Sequence, residues 1–144
     1  MTLPYRVVLI KAYRLVRIRK GTALMFHGIC IRSACTMLAV IQCVMLTSLY
    51  FGIEPHPPRA TPLFAMAPFL AVSIGIALCA IQQAGTSAGT VFAVASATTA
   101  LISFGPQKYF DAAFSEIWIA VLAAQIAIFA IFFTTFGAYK KRSA

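Results

Sequence analysis

The chain has 144 residues, of which 61% are hydrophobic and only 10% are charged. Twelve basic residues against three acidic ones give it a formal net charge of +9. This composition excludes a soluble globular domain, because too few polar residues remain to cover the apolar ones. It indicates a single-domain integral membrane protein. Nucleic acid is not an expected partner, because the basic residues lie at the two ends of the chain beside apolar segments.

Uncharged apolar segments account for most of the chain. Residues 60–107 include no Asp, Glu, Lys, Arg or His, and residues 33–53 and 117–139 are also uncharged. A bilayer core about 30 Å thick needs about 20 helical residues to cross it. The central segment therefore provides two crossings and each flanking segment provides one. The sequence predicts an all-α fold, an integral membrane four-helix bundle preceded by a basic interfacial helix.

Proline and glycine residues mark the ends of the predicted spans. Pro55, Pro57 and Pro58 end the first span, and Gly105 with Pro106 ends the third, because proline cannot donate the amide hydrogen of a continuing helix. The predicted spans are residues 30–53, 61–82, 86–104 and 115–137. They lie within a four-transmembrane-helix domain, residues 21–139, which is preceded by a basic segment, residues 1–20, and followed by a basic tail, residues 140–144.

The distribution of charge predicts the orientation in the membrane. Ten of the twelve basic residues lie before the first span, at its start (Arg32) or after the last span, while only Arg59 and Lys108 lie in the two loops on the opposite side. By the positive-inside rule, both termini are expected on the cytoplasmic side of a bacterial inner membrane, or on the matrix side of a mitochondrial inner membrane.

The basic segment combines basic and apolar residues and has no acidic residue. Its basic residues are Arg6, Lys11, Arg14, Arg17, Arg19 and Lys20. We expect an interfacial helix that binds anionic lipid headgroups. The apolar face is imperfect, because Arg19 falls on it while Ile10 and Ile18 fall among the basic residues. Docking on a protein partner is therefore a second interpretation, and organelle targeting a third.

Small residues indicate where helices approach each other closely. Gly85 and Gly89 form a GxxxG motif at the start of the third span, and Ala71, Gly75 and Cys79 form a similar series on the second. Small side chains allow the backbones of membrane helices to come together. We expect the third helix to be the interior one, with Gly75, Gly85 and Gly89 in contacts between helices of this chain. A contact with another subunit and a lined substrate pathway are the alternatives.

Two amides lie at membrane depth. Gln42 is in the first span and Gln125 is in the fourth. An amide without a partner in hydrocarbon costs several kcal/mol. We therefore expect each to bond the other, a backbone carbonyl or a neighbouring subunit, as a link between helices.

His27 is the one candidate ligand for a cofactor. It shares a helical stripe with Cys30, Met37 and Met45, a mixture of imidazole and sulfur that suits copper(I) or haem. Met45 lies more than about 20 Å along the axis from His27, so the four residues cannot bind one ion, and no metal site is predicted. Ala23 stands four residues before His27, a spacing similar to that of bacterial antenna polypeptides, in which histidine ligates bacteriochlorophyll. This spacing alone does not establish membership of that family.

No catalytic arrangement is present in the sequence. One Asp, two Glu and two His provide neither paired carboxylates nor a Ser/His/Asp set. We expect a non-enzymatic small membrane subunit, an accessory or structural component of a larger respiratory or photosynthetic type of complex, with other membrane subunits as partners and no soluble substrate. A small homo-oligomeric transporter or channel is one alternative. A subunit that binds a pigment or haem through His27 is the other; apart from this, no cofactor is expected.

Overall fold

A computed structural model describes the backbone of residues 3–53, 63–112 and 114–143, and the side chains of residues 25–53, 65–112 and 114–139. Within these ranges the protein is all-α and contains no strand. Its elements are α1 Leu3–Phe51, α2 Leu63–Gln82, α3 Ser87–Phe104, a short 3₁₀ helix Pro106–Phe110, and α4 Phe114–Ser143. The predicted fold class is confirmed.

All four α helices contain a section long and apolar enough to cross a bilayer. These sections are Met25–Phe51, Ala65–Gln82, Ser87–Phe110, which continues from α3 through the 3₁₀ helix, and Phe114–Tyr139. The protein is therefore an integral membrane protein with four transmembrane helices. The first section includes the predicted start of the span at residue 30, and Arg32 within it lies on the exposed side of the helix.

The basic segment and the first span belong to the same helix. α1 runs without interruption through 49 residues, which corresponds to about 74 Å at 1.5 Å per residue. The segment is helical as expected, but it is continuous with the span and is not a separate helix. The side chains of Arg6, Lys11, Arg14, Arg17, Arg19 and Lys20 lie outside the described residues. Their contact with lipid or with a partner remains a prediction.

The helices form a ring in chain order. Each packs on its neighbours in sequence, and α4 closes the ring against α1. α1 and α3 also touch across the ring, whereas the described parts of α2 and α4 do not touch each other. α3 is the most buried helix, with 39% of its apolar section buried against 22% for α2. It is nevertheless one corner of the ring and not a central helix.

Alanine and other small residues fill much of the core. The fully buried alanines are Ala77, Ala80, Ala93, Ala97, Ala100 and Ala124. Larger buried side chains, including Ile31, Leu38 and Ile131, come mainly from α1 and α4. Small side chains on α2 and α3 allow these helices to approach closely, as is usual where lipid gives no hydrophobic driving force for association.

Candidate interaction site

Gln42 anchors a buried hydrogen-bonded cluster that joins three helices. Its Nε2 donates to Ser73 Oγ of α2 at 2.7 Å, and the Ser73 and Thr99 hydroxyls are 2.7 Å apart. Thr99 Oγ1 in turn donates to the backbone carbonyl of Ser96, one turn earlier on α3, at 3.0 Å. Gln42, Ser73 and Ser96 are all fully buried. We call these four residues the Gln42 cluster.

Gln42 is recognisable in the sequence as a buried amide, but the residues that bond it are not. Ser73 and Thr99 are common hydroxyl residues within apolar helices, and such side chains usually bond their own backbone. The one sequence feature that relates Ser73 to Gln42 is their similar depth in the membrane. By rise per residue, Ser73 lies about 15 Å from the start of α2 and Gln42 about 14 Å from the end of α1, so both are at one level.

Gln125 closes the end of α3. Its Nε2 donates to the backbone carbonyl of Phe104 at 3.2 Å, and its Oε1 accepts a hydrogen bond from the Tyr109 hydroxyl at 2.5 Å. The last carbonyls of a helix have no intrahelical partner, so this amide satisfies one of them from a neighbouring helix. Of the three partners expected, Gln125 has the backbone carbonyl. It does not bond Gln42.

Of the two glycines of the GxxxG motif, Gly85 lies in the turn between α2 and α3 and Gly89 lies in the first turn of α3. Gly85 has a φ of +95°, a conformation that residues with a side chain rarely adopt. Gly89 is buried, and a Cβ atom there would lie 2.0 Å from the carbonyl oxygen of Gln83. Gly89 thus packs against the backbone of its own turn rather than against a facing helix, because α3 begins only at Ser87.

A third glycine brings α1 close to that turn. A Cβ atom on Gly28 would lie 3.5 Å from the Cα atom of Gly85, at ordinary contact distance. The sequence carries no signal for this contact, because Gly28 is a single glycine without a repeated small-residue series around it. Gly85 therefore does lie where two elements approach closely, and the element that approaches it is α1.

Gly75 differs from what the sequence suggested. It is exposed, and a Cβ atom there would meet nothing within 4 Å. The expectation that Gly75 lies in a contact between helices of this chain is therefore corrected. The physical reason is the orientation of α2, which turns Ala67, Leu70, Ala77 and Ala80 inward and leaves the Ala71 and Gly75 side outward.

His27 lies at the opposite end of the bundle from Tyr109. It is half-buried, and its Nε2 is 3.4 Å from the Thr90 hydroxyl of α3. Cys30, the next sulfur on its stripe, faces Thr134 of α4 at 3.5 Å. Among the described residues no group of three His, Cys, Asp or Glu side chains is close enough to hold a metal ion.

The outward sides of α2 and α4 carry side chains of very different size. On α4 the exposed side chains are large, and they include Trp118, Ile119, Leu122, Ile126, Phe129, Phe133 and Phe136. On α2 the exposed residues are mostly small, and they are Ala65, Pro68, Ala71, Val72, Gly75, Leu78 and Gln82. We refer to these two sets as the α4 face and the α2 face.

An open groove runs beside the α2 face, between α1 and α2. It has a volume of about 500 Å³. Its lining includes Thr36, Val40, Cys43 and Thr47 of α1, with Ile74 and Leu78 of α2. The α2 face and the groove together form a shallow, mainly apolar surface in which small residues and the hydroxyls of Thr36 and Thr47 lie among aliphatic side chains.

Comparison with protein-family models, with curated proteins and with solved structures finds no match to this chain.

Proposed function

We propose that this protein is a non-enzymatic subunit of a larger membrane complex and that its α2 face packs against a transmembrane helix of another subunit. The observation that carries the proposal is the α2 face itself. Gly75, with open space around it, lies at its centre, and Ala71 stands one turn away. The proposed partner is a membrane subunit of an energy-transducing inner membrane.

Close approach between helices explains small residues in such a position. Lipid chains fill space beside a large side chain as readily as beside a small one, so contact with lipid alone does not favour glycine. A partner helix does, because its backbone can approach only where side chains are small. The α4 face, with Phe129, Phe133 and Phe136, has the character of a surface that remains in lipid.

The basic segment supports an attachment outside the bilayer as well. Because it continues α1 as one helix, its charges extend along an axis away from the bundle. Charges further than a Debye length of about 8 Å from the headgroups gain little from them. We propose that the residues nearest the bundle, such as Lys20, bind anionic headgroups and that those nearest the amino terminus dock on an acidic subunit. Both termini then lie on the cytoplasmic or matrix side.

A matched pair of glycine variants tests the α2 face. Gly75→Leu adds a bulky side chain to the proposed contact, and Gly137→Leu adds the same side chain to an exposed glycine of α4 with equally open surroundings. At both positions a Cβ atom would meet nothing within 4 Å in the described residues, so both variants should fold. After mild solubilisation of the native membrane, we expect Gly75→Leu to lose the co-migrating subunits and Gly137→Leu to retain them.

The migration of the solubilised protein on a native gel also distinguishes the alternative functions. If the wild-type protein migrates as a homo-oligomer that Gly75→Leu dissociates, the α2 face joins copies of this chain, and a self-associated transporter or channel becomes the favoured function. Visible absorbance that follows the protein band and disappears in His27→Leu would support the pigment- or haem-binding alternative. A wild-type protein that migrates alone would contradict the subunit proposal.

A further inference from the structure

The Gln42 cluster leaves two buried polar atoms without a partner. Gln42 Oε1 and Ser96 Oγ have no hydrogen-bonding partner among the described residues. Both residues are fully buried. Unpaired polar atoms are rare in protein interiors, and their cost is highest where hydrocarbon surrounds the protein.

The direction of the hydrogen bonds explains why these two atoms are left over. The Gln42 amide donates to Ser73, and Thr99 donates to the carbonyl of Ser96. Since the Thr99 proton is used, the bond between Ser73 and Thr99 has Ser73 as donor. Each hydrogen bond from Gln42 to Thr99 is then donated in the same direction, towards the Ser96 carbonyl. Gln42 Oε1 remains as an acceptor, and the Ser96 hydroxyl remains as a donor.

We propose that a single water molecule binds between Gln42 Oε1 and Ser96 Oγ and completes the Gln42 cluster. Water donates and accepts hydrogen bonds at the same time, so it satisfies the amide oxygen and the hydroxyl together. Buried waters usually make two to four hydrogen bonds, and the hydroxyl oxygens of Ser73 and Thr99 each retain a lone pair for a third.

An alkali cation fits the cluster less well. A cation requires lone pairs directed at it from every side, whereas the Gln42 Nε2 group presents hydrogens beside the Ser73 oxygen. The described side chains of the cluster also supply no negative charge to offset that of a buried ion. The chemistry of the donors and acceptors therefore favours a neutral ligand.

The sign of a stability change tests the proposal. If Ser96 Oγ is dry and unpaired, Ser96→Ala removes a buried hydroxyl that costs free energy, and the melting temperature should rise. If a water bridges it to Gln42, the same change leaves the water and Gln42 Oε1 under-bonded. We then expect the melting temperature in detergent to fall by about 3 to 6 °C. Thr98→Ala, which removes an exposed hydroxyl from the same helix, is the control.

A second variant keeps the test independent of a general loss of packing. In a Gln42→Leu background the water site no longer exists, so Ser96→Ala should be neutral or stabilising there. Proton-detected solid-state NMR of the full chain in bilayers should show a cross-peak between water and the Gln42 side-chain amide, and Ser96→Ala should weaken it. The absence of this cross-peak, an increase in melting temperature for Ser96→Ala, or stabilisation by NaCl but not by choline chloride would each overturn the proposal.

Discussion

The α2 face and the α4 face belong to the same bundle and cross the same depth of membrane, yet they are built for different neighbours. Phe129, Phe133 and Phe136 are 76%, 84% and 67% exposed and project from α4 as a row of aromatic rings. The α2 face has Gly75 at its centre, and its bulkiest members are Leu78, Gln82 and Val72. The α4 face resembles a surface that contacts lipid, and the α2 face resembles a surface that packs against another helix.

The two helices also differ in how the rest of the chain holds them. α2 and α4 occupy opposite corners of the ring and do not touch in the described residues, so a change on one face has no direct path to the other. α4 contributes several large inward residues such as Val121 and Ile131, whereas the inward residues of α2 are alanines, Ser73 and a single large residue, Leu70. The outward faces can therefore be altered separately, and each alteration should report on its own surroundings.

The largest expected effect comes from Gly89, which is buried by contacts within this protein. Gly89→Ala would bring a methyl group within 2.0 Å of the Gln83 carbonyl oxygen, which cannot move without opening the turn. We expect a loss of about 3 kcal/mol or more in the free energy of unfolding, or failure to accumulate. Gly137→Ala on α4 should be neutral or slightly stabilising, and equal stability of the two variants would contradict the close packing of the turn.

A bulky residue on the α2 face should affect assembly without affecting this chain's own stability. Ala71→Phe gives the α2 face one of the rings that characterise the α4 face. We expect affinity for the partner to fall at least about tenfold, because a ring at this position separates the two backbones. Melting of the isolated protein should stay unchanged. If Ala71→Phe lowers that melting temperature substantially, Ala71 contacts this chain and the α2 face has been misassigned.

The inward side of α4 should be more sensitive than its outward face. Gln125→Leu removes the hydrogen bond to the Phe104 carbonyl and the acceptor of the Tyr109 hydroxyl. We expect a loss of about 1 kcal/mol, measured by thermal unfolding in detergent. Ile126→Leu, at the next position but exposed, is the control. A neutral Gln125→Leu would mean that water satisfies the end of α3 equally well.

The smallest effect is expected on the α4 face. Phe133→Leu exchanges one lipid-facing apolar side chain for another and should change neither unfolding nor partner retention beyond about 0.5 kcal/mol. Loss of the partner in this variant would show that the α4 face also takes part in assembly.

The fold was predictable because it depends on the length of apolar segments and the position of helix-ending residues. A run without charge, such as residues 60–107, leaves few structures other than membrane helices open to the chain. The continuity of α1 through Gly21 was not predicted, because the change from basic to apolar residues at this point suggested a boundary that the backbone does not require.

The contacts within the bundle were less predictable because they depend on how each helix is rotated. The Ala71, Gly75 and Cys79 series is equally suitable for facing another helix of this chain or another protein, and only the structure shows which way it points. Gln42 required a partner on physical grounds, but the sequence offered several hydroxyls of similar depth. The selection of Ser73 and Thr99 follows from the neighbour relations of α1, α2 and α3.

The most direct test of a partner at the α2 face is photocrosslinking from one position on each face in the native membrane. Benzoylphenylalanine replaces Val72, at the margin of the α2 face, or Phe129, at the centre of the α4 face; both side chains are exposed in the isolated chain. We predict a discrete protein adduct from position 72 and lipid adducts alone from position 129. Lipid adducts alone from both positions, or a protein adduct only from position 129, would contradict the account.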